Sequence, residues 1–113
     1  MTDVIIEISE RVEALNWEGT DWEVMADARA RFHESTEEVE VELSTWIRDA
    51  NPRVREARYQ PGWLPKPESV RAQASRSEAS ALAKEVFHRW AQRVRASAEQ
   101  QRQRMTSVND PVS

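Results

Sequence analysis

Apolar side chains recur along this chain at spacings of three and four residues, which is the period of an amphipathic α-helix. The first such stripe predicts a short N-terminal helix and consists of Ile5, Ile8, Val12 and Leu15. Residues 16–19 then interrupt the pattern with a segment that ends in glycine. The pattern therefore predicts one short helix followed by a turn.

A second stripe predicts a long central helix that ends at Ala50. Its positions are Trp22, Met25, Arg29, Phe32, Thr36, Val39, Leu43, Trp46 and Ala50. Residues 20–23, Thr-Asp-Trp-Glu, have the form of a capping box at its start. Pro52 ends it, because the residue before a proline disfavours the helical region. In an alternative interpretation Ser35 and Thr36 cap a fresh helix, so that the central helix is kinked near Ser35.

A strand is the competing interpretation for part of this segment. Residues 39–43, Val-Glu-Val-Glu-Leu, alternate between apolar and polar side chains as a half-buried strand does. Glutamate favours helix over strand, and no second segment stands out as a pairing partner. The helix is therefore the preferred interpretation.

The clearest irregular connector covers residues 59–67, which contain three prolines and a glycine. Beyond it the next helix is expected to begin between Glu68 and Ser77. Ser75 and Glu78 form another capping-box pattern there, although Val70, Ala72 and Ala74 could belong to an earlier turn. A long C-terminal helix is predicted by the apolar face of Leu82, Val86, Phe87, Trp90 and Val94. After Val94 this helix is expected to project past the core as a basic, solvated end. Residues 106–113 are expected to form a disordered tail.

Together these segments predict an all-α fold, either a small helical bundle or a helical hairpin. A single helical domain would cover residues 1–105, with its loop at about 59–67 and the C-terminal helix antiparallel to the central one. The charged fraction of 32% and the hydrophobic fraction of 39% suit helices with broad solvated faces. Only two glycines are present, which argues against a fold with many tight turns.

Charge is divided unevenly along the chain. Residues 1–50 contain fourteen acidic and four basic side chains, and residues 51–113 contain six acidic and twelve basic ones. The simplest explanation is that the two halves lie side by side and neutralise each other. Two alternatives are self-association, with the acidic half of one copy against the basic half of another, and separate partners for the two halves.

Five tryptophans are many for 113 residues. Three lie on predicted apolar faces and are expected in the core: Trp22, Trp46 and Trp90. Trp17 and Trp63 lie at breaks in the pattern. Each is a candidate anchor for a partner protein, since tryptophan is enriched among the interface residues that dominate binding energy. For Trp63 the first expectation is that it closes the end of the bundle. In the alternative it is the exposed anchor, and the neighbouring prolines would hold Trp63 and Leu64 rigidly.

Arginines of the C-terminal helix form the other candidate binding surface: Arg89, Arg93, Arg95, Arg102 and Arg104. Such a row could follow the phosphates of a nucleic acid. Apart from Trp90, which is expected to be buried, no aromatic residue is interleaved for base stacking, and no helix-turn-helix signature is evident. A solvated helix face, partly paired with the acidic half, is the simpler interpretation.

No catalytic or metal chemistry is predicted. Cysteine is absent, which excludes disulfides and thiolate ligands. His33 and Glu37 have the spacing of two metal ligands on a helix, but no further ligands converge on them. A nucleophile elbow and a phosphate-binding glycine loop are both missing. We therefore expect no enzyme activity, no cofactor and no small-molecule substrate.

The sequence alone thus predicts a non-catalytic protein–protein interaction module, such as an adaptor, assembly factor, inhibitor or small subunit. Its partner would be another protein or a second copy in a homodimer. The alternative is a nucleic-acid-associated accessory protein that uses the Arg-rich C-terminal helix. No apolar segment is long enough to cross a membrane. The expected location is the cytoplasm, or the virion if the chain is encoded by a phage.

Overall fold

The fold is a four-stranded antiparallel sheet that is covered on one face by one helix. The computed structural model describes residues 2–54 and 57–109. The strands are β1 (Thr2–Trp17), β2 (Thr20–His33), β3 (Glu38–Asp49) and β4 (Glu68–Gln73), and helix α1 is Arg76–Asn109. Each strand pairs with the next one in the sequence. The predicted all-α fold, whether bundle or hairpin, is therefore wrong, because strands replace both the N-terminal and the central helix.

Strand β2 alternates between apolar and polar side chains over most of its length, and Met25 is the apolar exception on the polar side. Its even positions from 24 to 32 are Val, Ala, Ala, Ala and Phe, and all five are buried in the core beneath α1. Its odd positions are mostly charged and lie on the opposite side of the sheet, which we call the outer face. The stripe that predicted a helix mixed both faces, since Phe32 lies under α1 whereas Met25 pairs across the outer face with Trp46.

The glutamates of β3 lie on the outer face, where cross-strand ion pairs offset their weak preference for strand. Glu42 accepts a hydrogen bond of 2.5 Å from Arg31 of β2, and Glu40 accepts one of 3.0 Å from Arg71 of β4. Val39 and Val41, which alternate with these glutamates along β3, are almost fully buried. The strand alternative for residues 39–43 is therefore correct, and its partners are β2 and β4.

Two bulges give β1 the spacing of a helix. The register with β2 shifts between Val4 and Ile6 and again between Arg11 and Glu13. Each extra residue reverses the phase of the alternation, so that even positions face α1 between the two bulges, and odd positions face it before the first bulge and after the second. Apolar residues consequently recur at three and four residues although the chain is extended.

Tight turns replace the predicted helix breaks. Trp17 pairs with Thr20 around the two-residue turn of Glu18 and Gly19, whose φ angles are 51° and 79°. Positive φ at both positions is the signature of a type I′ hairpin turn. The predicted kink near Ser35 is a four-residue turn between β2 and β3, and Glu37 there has a φ of 49°. Both capping patterns proposed at these places therefore belong to strands and turns.

Helix α1 begins where the sequence predicts. Ser75 Oγ donates a hydrogen bond of 2.6 Å to Glu78 Oε1, and this contact lowers the pKa of the Glu78 carboxyl. Phe87, Trp90 and Val94 of the predicted apolar face are buried over the small alanines of β2. Small residues in the sheet leave room for the large side chains of α1.

The basic end of α1 does not project past the core. Ala98 is fully buried and Met105 packs against the core, so the helix remains on the sheet after Val94. Connector 59–67 is irregular as predicted, although Tyr59 forms a bridge with Ile47 of β3. The predicted tail, residues 106–113, includes the end of α1 up to Asn109, and residues 110–113 lie outside the described residues.

Candidate functional site

A cavity of about 250 Å³ opens where the β1–β2 hairpin, connector 59–67 and the last turns of α1 meet. We call it the end cavity. Its walls are Leu15, Trp17, Trp22, Ile47, Pro61, Trp63, Gln101 and Met105. Seven of these eight side chains are apolar or aromatic, and they come from parts of the chain that are far apart in sequence. The cavity therefore exists only when sheet, connector and helix are all in place.

The hairpin positions two of the three tryptophans. Leu15 pairs with Trp22 across the strands, and Trp17 forms the last pair before the turn. The second bulge of β1 places these odd-numbered residues on the side of the sheet that α1 covers. Without this change of phase, Leu15 and Trp17 would lie on the outer face.

The connector supplies the third tryptophan through a short piece of sheet. Tyr59 exchanges two backbone hydrogen bonds with Ile47, of 2.8 and 3.0 Å, and so continues the line of β4 along β3. A turn closed by the 3.1 Å bond from Leu64 N to Pro61 O follows directly. Leu64 is buried in the core, which fixes Trp63 beside it against the same cluster.

Trp22, which was expected in the core and is only partly buried, has an unusual environment among the tryptophans. The ring of Tyr59 packs edge-to-face on it, with centroids 5.6 Å apart and an interplanar angle of 89°. Its Nε1 is buried, and no described residue accepts a hydrogen bond from it. In contrast, Trp46 Nε1 donates to Asp27 at 2.8 Å and Trp90 Nε1 donates to the carbonyl of Ser44 at 2.9 Å. A buried donor without an acceptor costs free energy, so this one requires an explanation.

Exposed aromatic surface surrounds the cavity. Trp17 is 49% exposed and Tyr59 is 50% exposed, and these are the two aromatic members of the exposed large hydrophobic residues in the described chain. Val4, another member, lies at the opposite end of β1. The exposed aromatic area is therefore concentrated at one end of the protein.

Charges next to the cavity are paired within the chain. Arg102 donates to the carbonyl of Ala14 and lies 2.9 Å from the Glu13 carboxylate. The backbone N–H of Ala14 and the Arg102 guanidinium lower the pKa of Glu13, so its carboxyl is ionised at neutral pH. These contacts fix the end of α1 to β1, and they leave the cavity walls themselves apolar.

The predicted anchors Trp17 and Trp63 are thus brought together in one site, whereas Leu64 lies under it in the core. Most of the predicted arginines contact acidic side chains or backbone carbonyls of this same chain. Arg89 pairs with Glu85 at 2.7 Å, Arg93 pairs with Glu68 at 2.8 Å, and Arg95 donates to the carbonyl of Val12 at 3.0 Å.

The side chain of Arg104 is exposed, and no hydrogen bond or ion pair joins it to another described residue. The five predicted arginines therefore form no continuous row of free cations. Sequence reasoning missed six walls of the site: Leu15, Trp22, Ile47, Pro61, Gln101 and Met105. The available signal was the Glu-Gly turn, which is flanked by tryptophans on both sides.

The outer face of the sheet contains a larger groove of about 880 Å³, which is lined mainly by charged and serine residues. Glu7 pairs with Arg29 at 3.2 Å, and Asp27 accepts hydrogen bonds from both Ser9 and Trp46. These side chains satisfy one another, as is usual for the solvated face of an antiparallel sheet. We therefore place the candidate site at the end cavity and not in this groove.

Comparisons with protein-family models, with curated proteins and with solved structures find no match to this chain. Within the described residues no three side chains of His, Cys, Asp or Glu are grouped to hold a metal ion. His33 lies beside Thr2 and Glu40, at 3.1 and 3.5 Å, and not beside Glu37 in a metal-binding pair. The helix that the structure describes is not apolar enough to cross a membrane.

Proposed function

We propose that this protein is a non-catalytic interaction module that binds another protein through the end cavity and the aromatic rings around it. The observation that supports this proposal is the convergence of three tryptophans from separate segments on one apolar opening. This proposal keeps the function class that the sequence indicates and moves the contact from helix faces to the end of a sheet.

The exposed rings of Trp17 and Tyr59 give the energetic argument for binding at this end of the protein. A tryptophan or tyrosine buries roughly 150–250 Å² in an interface, and such residues are typical of interface hot spots. Both rings are about half exposed in the isolated chain, so a partner has apolar area to cover at this end. Covering it would stabilise the complex by the ordinary hydrophobic effect.

Rigidity is the second argument. Trp17 is placed by the last pair of a hairpin, and Tyr59 is placed by two backbone hydrogen bonds to Ile47. Side chains on a fixed backbone lose less conformational entropy on binding than those on a mobile loop. The site is therefore organised before the partner arrives.

No observation favours the nucleic-acid alternative to the same degree. Binding to phosphates requires free basic groups, since affinity arises largely from released counterions. Arg93, Arg95 and Arg102 instead contact acidic side chains or backbone carbonyls of this chain. We therefore do not adopt that alternative.

Alanine substitution at the cavity tests the proposal. The full chain is immobilised, the protein captured from its natural source is identified and purified, and its affinity is measured for each variant. Trp17→Ala should weaken binding roughly 30-fold or more, as expected for a hot-spot tryptophan. Val4→Ala, which also removes an exposed apolar side chain but about 40 Å away along β1, should change affinity less than about twofold.

Equal affinity of the two variants would refute the proposal. Sedimentation equilibrium of the same proteins shows whether the partner is a second copy, since Trp17→Ala would then dissociate a dimer. Affinity that falls steeply between low and physiological salt, with no effect of Trp17→Ala, would support nucleic-acid binding instead.

A further inference from the structure

Strand β1 is an edge of the sheet, and its middle part is open to a further strand. We propose that residues 7–11 of β1 pair antiparallel with the same residues of a second copy of this chain, which joins the two sheets into one. The two-fold axis passes Ser9, so that Glu7 of each copy lies opposite Arg11 of the other. This interface is separate from the end cavity, and the inference goes beyond the proposed function.

The backbone groups of alternate residues in this segment point away from β2, towards the free side of the edge. Met25 lies opposite Arg11, and its carbonyl accepts a hydrogen bond of 2.6 Å from the Thr45 hydroxyl of β3. The backbone groups of Met25 are therefore directed at β3, and those of Arg11 point to the free side. Because the register is regular from there back to the first bulge, the backbone groups of Glu7 and Ser9 point the same way.

No other part of the chain that the structure describes pairs with the backbone of residues 7–11 on this side. The donors that α1 supplies to β1 go to the carbonyls of Val12 and Ala14, outside this segment. Strand β1 has sixteen residues, whereas β4 at the other edge has six. Long open edges are templates for pairing with another chain, and short ones are a common protection against it.

The two bulges of β1 set the length of the pairing. They lie between Val4 and Ile6 and between Arg11 and Glu13. A bulge interrupts the ladder and bends its strand, so a second strand can stay in register with β1 only between them. The interface is therefore a short regular ladder, in which each pair of residues that point at each other exchanges two backbone hydrogen bonds.

Charges in the segment favour a second copy in one register. Outward-pointing residues must face each other, so the two-fold axis passes a residue. An axis at Ser9 places Glu7 opposite Arg11 twice, once on each side of the axis. An axis at position 7 or 10 would place Glu7 or Glu10 opposite its own counterpart, and like charges directly opposite each other are destabilising. An axis at position 8 would form no pair of opposite charges.

Both charged side chains are exposed enough to accept this second contact. The side chain of Glu7 is 65% exposed and lies 3.2 Å from Arg29, and that of Arg11 is 62% exposed and lies 3.5 Å from Glu23. A guanidinium has five N–H donors, so a contact with Glu7 of the second copy leaves donors for Glu23. Exposed ion pairs add little affinity, and they act here mainly by selecting the register.

Sedimentation equilibrium of complementary charge variants tests the interface. The wild-type chain should dimerise reversibly at concentrations up to about 1 mM, since so short a ladder belongs to the weak class of interface. Glu7→Lys and Arg11→Glu should each weaken dimerisation by about tenfold or more, because each places like charges opposite each other twice. An equimolar mixture of the two variants should recover wild-type affinity to within about threefold, since every facing pair then has opposite charges.

A control variant separates this effect from net charge. Glu99→Lys changes the net charge as Glu7→Lys does, but at an exposed position of α1. It should change the dimerisation constant by less than about twofold, because exposed charges away from the interface are screened by salt.

Amide hydrogen exchange of the wild-type chain needs no variant and decides the question if a variant does not fold. The N–H groups of Glu7, Ser9 and Arg11 should exchange about tenfold more slowly at concentrations where the dimer forms. Those of Ile8 and Glu10 point at β2, so their exchange should be slow at every concentration. A dimer through another surface would not produce this alternation.

Three results would overturn the inference. They are a wild-type chain that is monomeric at about 1 mM, a dimer that the two charge variants leave intact, and a mixture of these variants that remains monomeric. The proposed function is tested separately, because Trp17→Ala should leave this dimer unchanged. A dimer that Trp17→Ala dissociates and the charge variants do not would place the second copy at the end cavity, in support of the proposed function and against this interface.

Discussion

Arg95 and Val12 are separated by 83 residues in the sequence, and the Nε of Arg95 donates a hydrogen bond of 3.0 Å to the carbonyl oxygen of Val12. Arg102, two turns further along α1, makes the equivalent contact with the carbonyl of Ala14. Strand β1 is an edge of the sheet, so the backbone groups on its free side have no neighbouring strand. The helix therefore supplies donors to one end of this edge.

The first prediction concerns these two arginines. Replacing both by alanine leaves the carbonyls of Val12 and Ala14 without their donors, and we expect the free energy of unfolding to fall by about 1–2 kcal/mol. Urea denaturation measures this change, and faster amide hydrogen exchange near the end of β1 should accompany it. Arg104→Ala is the control, and it should change stability by less than about 0.5 kcal/mol. If the double variant and Arg104→Ala lowered the free energy of unfolding equally, the hydrogen bonds to Val12 and Ala14 would contribute nothing beyond the charge of the helix.

The second prediction concerns the turn between β1 and β2. Gly19 has a φ of 79°, which disfavours any side chain with a Cβ, so Gly19→Ala should destabilise the protein by about 1 kcal/mol. Glu18→Asn creates the Asn-Gly pair that type I′ turns prefer, and it should raise the melting temperature by a few degrees. Thermal unfolding followed by circular dichroism measures both. A stabilising effect of Gly19→Ala would contradict the assigned turn.

The third prediction separates the two faces of β2. Ala28 lies in the core under α1, so Ala28→Leu should overpack it and destabilise the protein by about 1–3 kcal/mol. The adjacent Arg29 is exposed and pairs with the equally exposed Glu7, so Arg29→Leu should cost less than about 1 kcal/mol. Urea denaturation of the two variants measures the difference. Similar losses at both positions would contradict the alternation of a strand.

The fourth prediction concerns pH. The Ala14 N–H and Arg102 lower the pKa of Glu13 below its ordinary value of 4.5, so Glu13 stabilises the folded protein above that value and loses this effect as the pH falls through the lowered pKa. Wild type should therefore be more stable than Glu13→Gln at about pH 7, and the difference should shrink towards about pH 3. Glu10→Gln, at an exposed position of the same strand, provides the comparison. A constant difference at all pH values would contradict the linkage.

Sequence patterns identified the elements that depend on local contacts. Ser75 and Glu78 are three residues apart and cap α1 as predicted, because both partners of the contact lie in one turn. The prolines of connector 59–67 likewise act on their own backbone. Such signals do not require knowledge of the rest of the fold.

The strands were missed because their stability comes from residues far away in the sequence. Glutamates such as Glu40 appeared to favour helix, and contacts across the strands, such as the one from Arg71 of β4, make them suitable for a strand. Alanines of β2, including Ala26 and Ala30, conceal the alternation, since alanine is the strongest helix former in isolation. In β1 the bulges convert a period of two into apparent spacings of three and four.

The candidate site was partly visible. Trp17 and Trp63 stood out because they interrupt the periodic pattern, and both are walls of the end cavity. Their proximity depends on the Tyr59–Ile47 bridge and on the packing of α1 against the core beyond Val94, neither of which the sequence pattern predicts. Residue types therefore indicated the anchors, and the topology of the sheet determined where they meet.

The length of α1 has a thermodynamic consequence. Gln101 and Met105, which close one side of the end cavity, belong to the last turns of the helix, where terminal fraying is ordinarily greatest. Unwinding these turns would remove that wall, so the partner proposed above would bind only to chains in which they are helical. By reciprocity, occupancy must suppress fraying by the same factor. The order of the helix terminus and the affinity of the cavity are thus two measures of a single equilibrium.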